Sequence, residues 1–172
     1  MRFIIIIFIF FLYPSISKSQ SRQDTIENLT NISLKYLNTV FNEQNIDSAA
    51  ILWSDGVFLD LKGGYMECNV SNRTRTEKET IQAFEKSLND FKELNTKVKF
   101  KVDNASLVDV EDSTKLFLIT LNIENFNPLD TILRYIALDF GSNDFGKTWK
   151  IGRDNWALYF VYYLCRRNKN YR

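Results

Sequence analysis

The chain has 172 residues, of which 45% are hydrophobic and 25% are charged, and its formal net charge is +1. This length suits one domain, and the composition is that of a folded core rather than of a disordered chain. The near-neutral charge excludes the basic footprint of a nucleic-acid-binding protein. With no histidine and two cysteines, the chain also lacks the usual zinc ligand sets, so we expect no metal and no cofactor.

The N-terminus is typical of a secretory signal peptide. A basic start precedes an apolar run over residues 3–13, which at about 11 residues is too short to cross a bilayer, since a spanning helix needs about 20. Small residues follow, and cleavage after Ser17 or Ser19 would remove a signal over residues 1–19. A membrane anchor or a buried helix is the alternative. The pattern predicts a secreted, extracellular protein with no membrane contact once the signal is removed.

Two further features agree with secretion. An Asn-X-Ser/Thr sequon accepts a glycan only in the secretory pathway, and the chain has five, at Asn28, Asn31, Asn69, Asn72 and Asn104. Cys68 and Cys165 are the only cysteines. In an oxidising compartment such a pair is more often bridged than free. The alternative is two buried thiols.

Two helices are predicted upstream of residue 54. Asp24 and Glu27 have the capping-box spacing, and the helix that follows runs to about Asn42. Its apolar positions recur with helical spacing and include Tyr36. A second helix is predicted over residues 47–53, with Asp47 as its N-cap.

A hairpin and a third helix are predicted next. The Gly63-Gly64 pair lies between two extended runs, residues 56–62 and 65–70, and predicts a hairpin because both turn positions need positive φ. Thr76 and Glu79 form a second capping box. The helix after it, to about residue 91, has apolar residues at spacings of three and four.

Four antiparallel strands are predicted in the rest of the chain, over residues 96–102, 115–124, 131–140 and 147–163. Apolar and polar side chains alternate in the first two, which indicates one buried face. Aromatic and β-branched residues are frequent near the end of the last. Helices followed by such strands give an α+β fold class.

This order of elements resembles the nuclear transport factor 2-like superfamily, the cone-shaped fold that includes SnoaL-like proteins and ketosteroid isomerase. The local likeness lies in the runs 36–40 and 45–60, which look like the family's first two helices and the Asp-containing entry into its first strand. The resemblance covers about residues 24–163 and leaves a basic C-terminal tail at 164–172. It implies a curved antiparallel sheet of about six strands, including the N-terminal hairpin, packed against three helices.

The resemblance also implies candidate site residues. In the isomerase-like branch, an Asp at the end of the first strand abstracts a proton, and a first-helix Tyr and a late-strand acid hold the enolate oxygen. Asp60 and Tyr36 occupy the positions that look like the base and the Tyr. The late acid has no counterpart around Ile136. An oxyanion needs convergent donors in a dry site, and the late acid that would be one of them is missing. An isomerase- or dehydratase-like enzyme is therefore the alternative hypothesis and not the leading one.

The leading hypothesis is a non-catalytic protein that binds a small apolar ligand or a protein partner. The candidate pocket residues are Tyr36, Trp53, Asp60, Tyr135 and Trp156. Core packing of the aromatic residues and a solvent-facing Asp60 are the alternatives. The resemblance further implies that the strands holding Cys68 and Cys165 are neighbours, which favours a disulfide between them, and that a homodimer forms through the sheet face.

Overall fold

The computed structural model describes residues 3–67, 76–89, 97–124, 135–157 and 160–161. Within these ranges the fold is α+β, with helices in the N-terminal half and a curved antiparallel sheet after them. The helices are α1 Phe3–Phe41, α2 Ile46–Ala50, α3 Asp55–Glu67 and α4 Glu77–Asn89. The strands are β1 Phe100–Asp109, β2 Lys115–Ile123, β3 Tyr135–Ser142 and β4 Lys150–Asp154, in the spatial order β1-β2-β3-β4.

A helix covers each of the three stretches predicted to be helical, with changed bounds for the first two. α1 ends at Phe41 but runs through Asp24, which therefore caps no helix. α2 is capped by Asn45, whose side chain accepts from Ser48 N at 3.1 Å, and not by Asp47. The capping box before α4 is confirmed, because Thr76 N donates to Glu79 Oε2 at 2.9 Å and Glu79 N donates to Thr76 Oγ1 at 3.2 Å. Within the described residues, no helix is long and apolar enough to cross a membrane.

The predicted Gly63-Gly64 hairpin is wrong, because the chain forms helix α3 there. Val57, Phe58 and Leu61 are buried. They lie one, three and four residues apart, which is the spacing of one face of a helix and not the alternation of a strand. Core burial of that face outweighs the turn preference of the glycine pair, and the backbone stays helical at Gly63. The described residues therefore hold four strands, four helices before them and further helical residues after β4, rather than about six strands and three helices.

The predicted strands match the sheet to different degrees. β2 is confirmed almost to the residue, and β3 overlaps the predicted strand, of which residues 131–134 lie outside the described residues. β1 starts four residues later than predicted and continues to Asp109. Bulges after Val102 and Asp139 interrupt the pairing, and such bulges bend a sheet.

The long last strand is also wrong in its second half. β4 ends at Asp154, and residues 155–157 and 160–161 are helical. The Asp154 side chain accepts from Ala157 N at 3.4 Å, the contact by which an N-cap residue starts a helix. An acid at this position therefore ends the strand despite the aromatic residues that follow.

The core lies between the inner face of the sheet and the helices. Phe117, Ile119 and Leu121 of β2 alternate with Leu118, which is exposed, so one face of the sheet is buried. Aromatic rings fill the space opposite, with centroids 4.7 Å apart for Phe41–Trp156, 5.4 Å for Phe84–Trp156, 5.9 Å for Trp53–Phe84 and 5.7 Å for Phe84–Phe160. The interior is therefore filled by side chains.

Hydrogen bonds attach the helical layer to both edges of the sheet. Residues 52–54 run beside β4, where Ile151 N donates to Leu52 O at 2.7 Å and Ser54 N donates to Ile151 O at 2.9 Å. This parallel pairing fixes Trp53 against the sheet. At the other edge, the Asn42 side chain pairs with both backbone groups of Val98, at 2.7 Å and 3.0 Å, and so anchors the end of α1 near β1.

Candidate functional site

A buried polar network joins the helical layer to the end of the sheet. The Tyr36 hydroxyl, on α1, donates to Asp154 Oδ2 at the end of β4. Trp53 Nε1 in turn donates to the Tyr36 oxygen at 2.8 Å. All three side chains are buried. We call Tyr36, Trp53 and Asp154 the Tyr36 network.

The protonation of this network is set mainly by burial. Burial raises the pKa of Asp154 to about 7, although the hydrogen bonds from Tyr36 and Ala157 N favour the carboxylate. Burial and the neighbouring Asp154 charge raise the pKa of Tyr36 well above its ordinary value. The Tyr36 hydroxyl therefore remains a donor over the whole physiological range, and Asp154 is the group that titrates.

Trp156 adds an unusual donor beside this network. Its Nε1 is buried beside Asp154, but the contact does not have the geometry of a hydrogen bond. Its N–H still favours the ionised form of the neighbouring acid and so lowers the pKa of Asp154 against the larger effect of burial. The Tyr36 network is thus a chain of hydrogen bonds from Trp53 through Tyr36 to the internal carboxyl group of Asp154, so the Tyr36 hydroxyl is already engaged with that acid.

The structure brings together only some of the predicted pocket residues. Tyr36, Trp53 and Trp156 are buried near one another in the core. Asp60 is exposed on α3, and Tyr135 is exposed on the outer face of the sheet. The Tyr36 hydroxyl bonds to Asp154 and Trp53, so the described contacts do not join it to Asp60.

Sequence reasoning missed Asp154. It sought a late acid around Ile136, whereas the acid that contacts Tyr36 lies at the end of the next strand. The signal was present as an Asp-Asn pair before Trp156, since Asp and Asn are residues that commonly start a helix. The aromatic and β-branched residues that follow predict a continuing strand, whereas in the structure the N-cap prevails.

An open groove lies on the outside of the helical layer, where α2 and the first turns of α3 and α4 meet. Its volume is about 650 Å³. Its apolar lining consists of Ile51 and Ile81, which are at least partly exposed, and of Trp53 and Phe58, which are nearly buried. We call this cavity the helix groove. The groove is open to solvent, and its volume lies within the range of about 300–1,000 Å³ that is usual for small-molecule sites.

Polar side chains surround that apolar surface. Asp47, Asp55 and Glu77 belong to the first turns of α2, α3 and α4, and Lys150 comes from the start of β4. Lys150 Nζ donates to the Ile51 carbonyl oxygen. The groove therefore has an apolar floor and a mostly acidic rim.

A second, smaller cavity of about 340 Å³ lies on the other side of Ile51. Its walls include Ile32, Tyr36 and Leu52. Ile51 is 69% exposed and borders both cavities. Ile51 therefore separates the two cavities.

Some of the residues in the predictions that depend on secretion lie within the described part of the structure, and others lie outside it. Asn28 and Asn31 on α1 and Asn104 on β1 are exposed. Cys68, Cys165 and the remaining sequons, Asn69 and Asn72, lie outside the described residues. The disulfide and the glycans stay predictions. Among the described residues there is no group of three or more His, Cys, Asp or Glu side chains placed to hold a metal ion.

Comparisons with protein-family models, with curated proteins and with solved structures gave no match for this chain. The likeness to the nuclear transport factor 2-like superfamily therefore rests on the order of elements and on the local sequence runs, and it stays a prediction.

Proposed function

We propose that this chain is a secreted, non-catalytic protein of the nuclear transport factor 2-like fold that binds a small apolar ligand in the helix groove. The observation that carries the proposal is the groove itself, which combines a volume of about 650 Å³ with the apolar side chains of Ile51, Phe58 and Ile81. Apolar surface left open in a concave site is the usual mark of a ligand pocket.

The filled interior supports a site outside the core. The aromatic rings of Phe41, Phe84 and Trp156 occupy the space between sheet and helices. The alternative function, an isomerase- or dehydratase-like enzyme with Asp60 as general base and Tyr36 as donor, needs both groups at one dry position. Asp60 is exposed and the Tyr36 hydroxyl is engaged with Asp154, so binding has the stronger support.

Replacing Ile51 is expected to weaken apolar binding. Ile51→Asn removes apolar contact area from the groove, and burying about half of an isoleucine side chain is worth roughly 1 kcal/mol, or about fivefold in affinity. The matched control is Leu59→Asn, because Leu59 is 66% exposed against 69% for Ile51 but does not line the groove. Calorimetric titration with 4-phenylbutanol should show the loss for Ile51→Asn alone. Equal affinities in both variants would contradict a site in the helix groove.

A homodimer through the outer face of the sheet is a second candidate function. Val108, Leu118 and Tyr135 are exposed on that face, where Leu118 is paired with Asp139 and Tyr135 with Asn122. An interface of this kind would bury them. Sedimentation should then show a dimer for the wild type, a monomer for Leu118→Lys, and a dimer for the control Leu59→Lys. A monomeric wild type at high protein concentration would contradict the dimer.

A further inference from the structure

The rim of the helix groove carries more negative than positive side chains. Asp47, Asp55 and Glu77 surround the opening, and Lys150 is the one cationic side chain among the described residues that line it. The Lys150 ammonium donates to the Ile51 carbonyl oxygen, which places it against the backbone. Within the described part of the chain, no ion pair joins any of the three carboxylates to a cationic side chain.

Helix capping accounts for part of this acidity. Each of the three acids lies in the first turn of its helix, where a carboxylate favours the positive helix end. A helix end has only about half a unit of positive charge, and α2, with five residues, is a short helix. The charge of a full carboxylate at each helix end therefore exceeds the partial positive charge of that end. The net charge of the rim remains negative when Lys150 is counted.

We propose that the helix groove selects ligands that join an apolar body to a cationic head, such as a hydrophobic primary amine. The apolar body lies against Phe58 and Ile81, and the ammonium group lies among the carboxylates of the rim. The rings of Trp53 and Phe58 pack edge to face with centroids 5.4 Å apart and are nearly buried, so they close the inner wall of the groove beneath the rim. This inference rests on the proposed function and adds the charge of the ligand to it.

Three probes with one apolar body separate charge from hydrophobic contact. Calorimetric titration of the full chain near neutral pH compares 4-phenylbutylamine, 4-phenylbutanol and 4-phenylbutyrate. We expect the amine to bind about fivefold or more tightly than the alcohol, and the acid to bind most weakly, because one favourable charge contact near a surface is worth about that factor. The advantage of the amine should shrink as salt is added.

Charge-neutral variants locate the source of that preference. The double variant Asp55→Asn with Glu77→Gln should bind the amine and the alcohol with similar affinity while its affinity for the alcohol stays unchanged. The control is Asp60→Asn, which removes an exposed carboxylate of the same helix α3 that does not line the groove. It should keep the full preference for the amine. Circular dichroism of each variant confirms that its helices are intact.

The outcomes distinguish this inference from the proposed function. Equal binding of all three probes, tightest binding of the acid, or an amine preference that survives in the double variant would overturn the charge selection and leave apolar binding in place. No binding of any probe at concentrations of about 1 mM would overturn the proposed function, and the charge selection with it.

Discussion

Raising the pH from about 4 to about 8 is expected to lower the free energy of unfolding on the order of 4 kcal/mol through Asp154 alone. The pKa of Asp154 is about 7 in the fold and 3.8 in its ordinary state. Below about pH 4 the folded and unfolded chains both hold the proton. Between the two pKa values only the folded chain holds it, so stability falls as pH rises and levels off above about pH 7.

Asp154→Asn is expected to remove most of this pH dependence. The amide has no charge to desolvate, and its oxygen can still accept the Tyr36 hydrogen bond. The variant should therefore gain stability relative to the wild type above pH 7 and should be similar to it or slightly less stable near pH 4. Urea unfolding at a series of pH values measures this difference. Asp60→Asn is the control, since Asp60 is exposed, and identical pH profiles for wild type and Asp154→Asn would contradict the buried carboxyl group.

Phe84→Ala is expected to destabilise the protein by about 3–5 kcal/mol, the usual cost of deleting a buried aromatic ring. Phe84 is 0% exposed and its ring contacts Trp53, Trp156 and Phe160. Loss of the Phe84 ring opens a cavity next to Trp53, which forms part of the wall of the helix groove. Three aromatic neighbours also lose edge or tilted contacts.

The matched control for this change is Phe145→Ala. Phe145 is 64% exposed in the loop between β3 and β4, so its removal should change the free energy of unfolding by about 0.5 kcal/mol or less. Denaturant unfolding of both variants gives the comparison. A cost below about 1 kcal/mol for Phe84→Ala would contradict the filled aromatic interior.

The elements that the sequence predicted best are those in which the local pattern and the core agree. The alternation in β2 and the capped, amphipathic α4 each needed only their own residues to be recognised. The hairpin failed because two glycines indicate a turn in isolation, whereas burial of Val57 and Leu61 holds that stretch in a helix. Local preference is weak compared with the packing of a whole helical face.

The candidate site was less accessible to sequence reasoning. Tyr36 and Trp53 were recognised as candidates, but the partner of Tyr36 is 118 residues away along the chain, and no local pattern connects them. The helix groove is likewise built from α2, α3, α4 and the start of β4. Since α3 was expected to be a hairpin, the sequence offered no way to bring these helix ends together.

Chemical-shift mapping by NMR with 4-phenylbutanol tests binding in the helix groove most directly. The predicted result is a saturable shift of the Trp53 indole N–H and of the backbone amides of Ile51 and Ile81, with the amides of Leu118 and Tyr135 unchanged. Shifts confined to the outer face of the sheet, or no shift at saturating probe, would contradict a ligand site in the groove.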